Sequence, residues 1–390
     1  MNSAFDFIDI AVDSLNKFEE ELCGDHVEIT QNEVSKIIVL SDGLGSGVKA
    51  NILSTLTSNI AATMLRLGSD IFEVLETLEK TLPTCKVRGL AYSTFTIIQI
   101  FNDGRVYIIE FDNPRVVYIR NNRIHQMEEN EIKFKDKIII ESRTTYKKGD
   151  VITGFSDGVV HTGIGKYIDL GWQREEITKV LLNLAHKEKN AKSISKEIIE
   201  ISNIFCDFEP GDDTTCVVVK IRDIEKVTIF SGPPKATEKD IQVVHDLKHS
   251  YGKKVICGGT AANIYSRVME EEIITNIENL DPDIPPYAII KGVDLVTEGV
   301  LTLNKTIKII EAYLSDDFDE TLIHKDNGAS KLANILINEC THLDILIGNA
   351  INPAHQNPYF PDDLNIKWKS THSLAKSVER LGKEVKFIKY

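Results

Sequence analysis

Residues 39–50 read VLSDGLGSGVKA, an apolar strand followed by a short glycine-rich loop. Two kinds of site are compatible with this stretch. Gly45, Gly47 and Ala50 fit a permissive form of the dinucleotide-binding fingerprint, which needs glycines between a strand and a helix. Asp42 and Gly43, by contrast, stand at the end of the strand, where a carboxylate can contribute to a metal site.

The residues after this loop argue against nucleotide binding. Apolar residues recur at helical spacing over residues 48–67, Gly68 follows as a C-cap, and a second helix is predicted from Ser69 or Asp70 to Pro83. A dinucleotide-binding unit requires a second parallel strand directly after the first helix. A P-loop is excluded as well, because Lys49 is followed by Ala50 and not by Ser or Thr.

Acidic residues recur at further strand ends. Asp157 lies in a second SDG after the apolar strand GDVITGF, Asp212 and Asp213 precede the strand TTCVVVKI, and Asp25 follows Gly24 at an early strand. Each Asp-Gly pair alone is more often a hairpin turn. Together they indicate a Mg²⁺ or Mn²⁺ site, because carboxylates from separate strands can converge at one end of a sheet.

The remaining pattern of the first half predicts antiparallel strands and helices. HVEIT and SKIIVL read as a hairpin, and AYSTFTIIQI, RVYIIEF and RVVYIRNNRI as a meander whose tight turns make neighbours antiparallel. A turn is expected after GDVITGF, and two helices are expected over about residues 174–204.

Five ordered motifs then resemble a known family. SDGLGSGVKA, YSTF, DNPRVVYIR, GFSDGV and GDDTTCVVVKI are similar to metal-dependent serine/threonine phosphatases of type 2C, in the bacterial branch typified by the stage II sporulation protein E phosphatase. The resemblance covers about the first 220 residues. It implies an αββα sandwich of two antiparallel sheets, with a dinuclear metal centre at one end.

The resemblance also implies roles for individual residues. Asp42 takes the place of the acid that bridges two Mn²⁺ or Mg²⁺ ions, the Gly43 carbonyl coordinates one ion, and Asp157 and Asp212 complete the catalytic set. Asp25 and Asp213 take supporting positions or hold an additional metal. The implied reaction is attack of a bridging, metal-activated water on phosphoserine or phosphothreonine.

No arginine near Asp25 is an evident substrate-phosphate clamp. Arg66, Arg88 and Arg115 are candidates by composition only, and solvated surface is the favoured interpretation for each.

The pattern changes near residue 223 to alternating strands and helices, which predicts a second α/β domain with helices on both faces of a parallel or mixed sheet. We therefore expect a phosphatase domain over residues 1–222 and a three-layer α/β domain of sensory or partner-docking role over residues 223–390. Gly258, Gly259 and Thr260 follow a strand and open a helix, a geometry that favours an anion, with a plain strand-to-helix turn as the alternative. His355 lies on a loop after a later strand, as a further candidate for this C-terminal ligand site.

Composition restricts the function classes. The chain has 390 residues and a formal net charge of -14, which disfavours nucleic acid as a partner. No apolar run reaches the roughly 18 residues of a membrane span, the N-terminus lacks a basic signal-peptide start, and the six cysteines are scattered. We expect a cytoplasmic protein with reduced, mostly buried thiols and no membrane contact.

The sequence thus predicts a Mn- or Mg-dependent protein phosphatase in a signalling circuit. Its substrate would be a phosphoprotein, with an anti-sigma-factor antagonist as one candidate, and a homodimer is one option for control. The alternative is a regulatory binding or scaffold protein that keeps the phosphatase-like fold and acts through its C-terminal ligand-binding domain.

Overall fold

The computed structural model describes residues 6–82, 93–135, 137–187, 190–276, 281, 283–315, 318–319, 321–348 and 366–390. The chain divides into two compact units, Met1–Asp223 and Ile224–Tyr390. Among these described residues, the first unit contains two sheets and the second contains one, and each unit has its own apolar clusters.

The first unit contains eleven strands and five helices among its described residues. The strands are β1 Asp6–Leu15, β2 Asp25–Gln31, β3 Ser35–Gly43, β4 Ser93–Phe101, β5 Arg105–Phe111, β6 Val117–Arg120, β7 Arg123–Ile124, β8 Glu128–Phe134, β9 Lys137–Thr145, β10 Val151–Phe155 and β11 Thr214–Asp223. The helices are α1 Gly47–Arg66, α2 Ile71–Thr81, α3 Asp157–Val160, α4 Arg174–Lys187 and α5 Ala191–Phe205.

The strands form two antiparallel sheets that face each other. One has six strands in the order β2-β3-β4-β5-β9-β8, and the other has five in the order β1-β11-β10-β6-β7. One apolar cluster lies between the sheets, a second packs α1 and α2 on the six-stranded sheet, and a third packs α4 and α5 on the five-stranded sheet. The predicted αββα sandwich is therefore confirmed.

The alternation of β3 shows how the sequence produces these layers. Ile37 and Val39 belong to the cluster under α1 and α2, whereas Ile38 and Leu40 belong to the cluster between the sheets. Successive side chains of a strand point to opposite faces, so both faces of β3 are buried in apolar surroundings. By the same alternation, Asp42 lies on the face that looks toward the opposite sheet.

The predicted helices of the first unit are present at the expected places. α1 ends before Gly68, which has a φ of 94° and supplies the left-handed turn there. α2 begins after Asp70, which forms a reciprocal capping box with Glu73.

The prediction of a continuous meander is wrong at one step. β4 pairs with β5 as expected, but β6 pairs with β10 and β7, because the chain crosses to the five-stranded sheet after β5. The sequence interpretation also passed over β1, β8 and β9. The second SDG is not a hairpin turn either, since Asp157 begins the short helix α3.

The second unit is an α/β domain. Its strands are β12 Lys226–Ser231, β13 Lys253–Cys257, β14 Ile274–Thr275, β15 Ala288–Ile290, β16 Val293–Thr297, β17 His342–Ile347 and β18 Glu384–Lys389. Its helices are α6 Lys239–His249, α7 Gly259–Met269, α8 Val300–Leu314, α9 Thr321–His324, α10 Gly328–Asn338 and α11 Ile366–Arg380.

These strands form one mixed sheet in the order β14-β15-β16-β13-β12-β17-β18. The pairs from β16 to β18 are parallel, and β14 and β15 add an antiparallel edge. α6 and α7 cover one face and α8, α10 and α11 the other, each over its own apolar cluster. The predicted three-layer α/β architecture is present.

In the described part of the chain, no helix combines the length and apolar character needed to cross a bilayer. The five described cysteines are free thiols, of which all but Cys23 are buried. Cys85 lies outside the described residues.

Candidate metal centre

The five acidic residues predicted for the metal site come from both sheets of the first unit. Asp25 begins β2 and Asp42 lies near the end of β3, in the six-stranded sheet. Asp157 follows β10, and Asp212 and Asp213 directly precede β11, in the five-stranded sheet. All five therefore lie where strands of the two facing sheets begin or end.

Strand register brings the first two acids together. Asp25 is paired directly with Asp42 across β2 and β3, and Gly43 N–H donates to the carbonyl of Gly24 at 3.1 Å. Opposite residues of an antiparallel pair have side chains on the same face, so both carboxyl groups point toward the space between the sheets.

A second connection places Asp157 beside Asp212 and Asp213. β10 and β11 are neighbours, and Ser156 N–H donates to the carbonyl of Thr215 at 3.0 Å while Thr215 N–H donates to Ser156 Oγ at 2.9 Å. This reciprocal pair fixes the loop that carries Asp157 against the segment that carries the other two acids.

The electrostatics show that the two groups of acids converge. Burial, the charges of Asp25, Asp157 and Asp212 and a hydrogen bond with the Asp157 carboxyl together raise the pKa of Asp42 to about 9, with burial as the largest cause. Burial and the charge of Asp157 also raise the pKa of Asp212. Four carboxyl groups from two sheets thus repel one another across a small volume.

Asp25 and Asp213 are the deeply buried acids of the cluster, and Asp25 is the more poorly partnered of the two. The Asp25 side chain is 5% exposed, and neither carboxyl oxygen has a hydrogen-bond partner. Burial, as the largest cause, and the charges of Asp213 and Asp157 raise the pKa of Asp25 to about 7, against the opposite effect of the nearby Ser156 and Thr215 hydroxyls. A buried carboxyl without a partner is costly and calls for an explanation, which a cation between Asp25 and its neighbours would supply.

The two acids of GDD differ in exposure. Asp212 is exposed and its Oδ1 accepts from the N–H of Asp213 at 3.0 Å. Asp213 is buried, and its Oδ1 accepts from the N–H of Lys17 at 3.0 Å while its Oδ2 has no partner. Asp212 is therefore open to an incoming group, and Asp213 is held in place by the backbone.

Glycine beside three of the acids permits close backbone approach. A Cβ on Gly43 would lie 2.1 Å from the carbonyl oxygen of Ala50, and one on Gly158 would lie 2.0 Å from that of Asp213. A Cβ on Gly24 would lie 2.6 Å from Asp213 Oδ2. Any larger residue at these positions would push the strand ends apart.

The donor set suits a hard cation. Among the described residues, no three His, Cys, Asp or Glu side chains already stand in an arrangement that could hold a metal ion. Mg²⁺ in proteins usually keeps several waters and is bound by one or two carboxylates, so a complete protein cage is not required. The orphaned oxygens of Asp25 and Asp213 and the mutual repulsion around Asp42 fit such an ion.

Two features near the acids were missed by sequence reasoning. His161 lies one helical turn after Asp157, with Nδ1 3.8 Å from Asp157 Oδ2. Thr94, opposite Asp42 in β4, donates to Asn113 at 2.5 Å, and Asn113 donates to Thr96 at 3.2 Å. The four-residue spacing in DGVVH could have revealed His161, whereas the Asn113 contact depends on the packing of a loop.

Arg115 does not match the predicted solvated surface. Its guanidinium lies 2.7 Å from the buried carboxylate of Glu110 and 2.8 Å from Glu129, so it neutralises a carboxylate inside the fold. Arg66 is exposed as expected, and Arg88 lies outside the described residues.

The predicted C-terminal ligand site is described in part. Gly258 is the N-cap of α7, and Gly259 and Thr260 form its first turn at the end of β13. His355 falls outside the described residues, so its place in that site stays a prediction.

Residues 34–222 match the family model described as stage II sporulation protein E (SpoIIE). The predicted resemblance of the N-terminal half to this phosphatase-domain family is thereby confirmed. No curated protein matches the chain.

Several solved structures are similar to the chain. The PP2C phosphatase domain with a fragment of the regulatory domain of SpoIIE from Bacillus subtilis is 18% identical with a TM-score of 0.48, and the match covers 56% of this chain and 63% of that chain. The RsbU and RsbW domains of a Mycobacterium tuberculosis protein are 16% identical with a TM-score of 0.48, covering 62% and 68%. RsbX in complex with magnesium is 18% identical with a TM-score of 0.40, covering 55% and 95%.

Proposed function

We propose that the first unit is a Mn²⁺- or Mg²⁺-dependent phosphatase that hydrolyses phosphoserine or phosphothreonine on a signalling protein. The observation that carries the proposal is the convergence of Asp25, Asp42, Asp157 and Asp212 from two facing sheets at one end of the sandwich. The family match over residues 34–222 supports the same activity.

In this proposal Asp42, Asp157, Asp212 and the carbonyl of Gly43 hold two ions, and Asp25 and Asp213 support them or hold an additional one. When bound, the ions supply charge neutralisation at the phosphoryl group and a water of near-neutral pKa as nucleophile. The protein residues position the reactants: the paired ends of β2 and β3 fix Asp25 and Asp42, and the exposed Asp212 leaves the site open to a protein-borne phosphate.

No covalent phospho-enzyme is part of the proposal. Burial raises the pKa of Cys23 to about 12, so its thiol stays protonated at neutral pH and is a poor nucleophile.

The phosphoprotein partner, the oligomeric state and the cellular compartment are also part of the proposal. An anti-sigma-factor antagonist is one candidate substrate, control through a homodimer is one option, and the free thiols among the described residues are compatible with the cytoplasm.

The test is hydrolysis of p-nitrophenyl phosphate and of a phosphothreonine peptide by the full chain. We expect turnover with Mn²⁺ or Mg²⁺, loss of turnover in excess EDTA, and recovery on adding Mn²⁺. Equal turnover with and without the chelator would contradict the proposal.

The second candidate is a regulatory binding or scaffold protein with a phosphatase-like fold. It is favoured by the lack of a preformed set of three ligating side chains in the described residues. Under this alternative the chain would hydrolyse neither substrate at any Mn²⁺ concentration, although it would remain folded and bind its partner through the second unit.

A further inference from the structure

The carboxyl edge of the parallel sheet in the second unit has the topology of a ligand site. β12 comes first in the chain and lies in the middle of the sheet, with β13 and β16 on one side and β17 and β18 on the other. The chain therefore adds strands first on one side of β12 and later on the other, and this change of direction falls between β12 and β17. In open α/β sheets, ligands bind outside the carboxyl ends of the strands near such a point.

A half-buried lysine lies at this edge. Lys367 is in the first turn of α11, and its Nζ lies 3.1 Å from the position that a Cβ on Gly258 would take and 3.7 Å from the corresponding position on Gly232. The two glycines follow β13 and β12, so the ammonium group is held against the ends of two adjacent strands. Burial lowers the pKa of Lys367, whereas the nearby exposed Glu298 raises it. A bound anion would stabilise this charge.

A hydroxyl without a partner lies directly before Gly232 in the chain. Ser231 ends β12, is 1% exposed, and its Oγ makes no hydrogen bond. Val227 and Ile229 of the same strand belong to the cluster under α8, α10 and α11, so Ser231, two residues on, lies on the face that α11 covers. The neighbouring hydroxyl of Thr297, by contrast, donates to Cys257 Sγ at 3.5 Å.

The start of α7 adds backbone donors. Gly258, with a φ of 112°, turns the chain from β13 into the helix, and the first amides of α7 have no acceptor within the helix. Gly259 needs neither a positive φ nor a close approach, since a Cβ there would meet no atom within 4 Å. Its lack of a side chain leaves space directly above these amides.

We propose that this edge binds the phosphate group of a small phosphorylated molecule through the Lys367 ammonium, the Ser231 hydroxyl and the first amides of α7. A helix N-terminus combined with a lysine suits phosphate, which offers several acceptor oxygens and negative charge. The loop after β12 reads SGPPK, without the glycine pattern of a dinucleotide fingerprint, so a mononucleotide or a phosphorylated metabolite is the fitting class. The site is independent of the phosphatase activity proposed for the first unit.

The experiment is calorimetric titration of the full chain in EDTA with inorganic phosphate, pyrophosphate and ADP. We expect at least one probe to bind, and the ranking of the three separates a bare phosphate site from a nucleotide site. Lys367→Met should weaken binding at least about tenfold, because a hydrogen bond to a charged group is lost. Lys369→Met, which removes an exposed lysine two residues away, should leave binding unchanged.

A second variant keeps the test decisive if Lys367→Met fails to fold. Gly259→Ala should fold, because its methyl group meets no atom within 4 Å and alanine favours helix more than glycine does. The methyl group would, however, fill the space above the amides, so this variant should also weaken binding at least about tenfold. Asp42→Asn, in the first unit, should have no effect. The proposal is overturned if no probe binds up to about 10 mM, if Gly259→Ala binds like the wild type, or if only Asp42→Asn abolishes binding.

Discussion

At the residue scale, the position of Asp42 in β3 determines both its face and its neighbours. Ile38 and Leu40 fix the inward face, and the register with β2 places Asp25 opposite. The result is a cluster of carboxyl groups, of which Asp25, Asp157 and Asp212 each raise the pKa of Asp42. In the proposed metal centre, this arrangement costs stability without a cation and would favour binding of one.

Replacing the Asp42 carboxyl group by an amide should stabilise the metal-free chain near neutral pH, because the folded state disfavours the ionised form that the unfolded chain prefers. We expect Asp42→Asn, measured by thermal unfolding in EDTA, to raise the melting temperature of the first unit by a few degrees, because burial and three other acids already disfavour the Asp42 carboxylate. Asp169→Asn, at an exposed position, is the matched control and should change little. A lower melting temperature for Asp42→Asn would argue against the crowding of charge at this position.

Gly43 should contribute to the stability of the first unit as well as to the proposed metal site. A methyl group there would lie 2.1 Å from the carbonyl oxygen of Ala50, so Gly43→Ala should destabilise the first unit by about 2 kcal/mol or more. Gly211→Ala, in the GDD motif, meets no atom within 4 Å and should cost less than about 0.5 kcal/mol. Urea unfolding of both variants checks this pair, and equal destabilisation would refute the steric argument.

The acids themselves could be predicted, because each follows or precedes an apolar strand in the sequence. The surroundings of these acids could not be predicted from the sequence. The deep burial of Asp25 and the contact between Thr94 and Asn113 depend on strand register and on the packing of one sheet against the other, which local patterns do not specify.

At the scale of the elements, α2 illustrates a helix whose start is defined by local chemistry. Asp70 accepts from Glu73 N–H at 3.0 Å, and Glu73 accepts from Asp70 N–H at 3.2 Å. We expect Asp70→Ala to lower the unfolding free energy by about 1 kcal/mol and Asp70→Asn to retain most of the stability, because asparagine is an equally good N-cap. Thermal unfolding of the two variants measures this, and equal losses would show that the cap does not act through its side-chain oxygen.

The strand β8 shows why one element could not be predicted from the sequence pattern. β8 has an almost entirely polar and exposed sequence at the edge of its sheet, so it carries no clear alternation. The connection from β5 to β6 was interpreted as a hairpin because Asp, Asn and Pro, which it contains, favour turns. Such a turn forms equally well when the next strand enters the other sheet, as β6 does. The helices were found more readily, since their spacing and caps are local.

At the scale of the whole molecule, the first and last strands of the first unit pair with each other. β1 pairs with β11 along ten residues from Asp6 to Leu15, so residues 6–223 form sheets that need no strand from the second unit. The change of pattern near residue 223 was visible in the sequence because alternating strands and helices differ from antiparallel hairpins. The domain boundary and its functional division remain a proposal.

Separation of the chain after Asp223 tests that proposal. We expect the fragments 1–223 and 224–390 each to unfold cooperatively, since each has its own apolar clusters, and the first fragment to retain Mn²⁺-dependent hydrolysis. Circular dichroism melts and turnover of p-nitrophenyl phosphate provide the measurements. A first fragment that fails to fold would contradict the division.

The measurement that tests the central claim most directly is calorimetric titration of Mn²⁺ into the metal-free full chain. The account predicts saturable binding of two ions, abolished or weakened by at least about tenfold in Asp42→Asn, while Asp169→Asn binds like the wild type. Absence of saturable binding, or equal affinity in Asp42→Asn and the wild type, would contradict the assignment of the clustered acids as a metal centre.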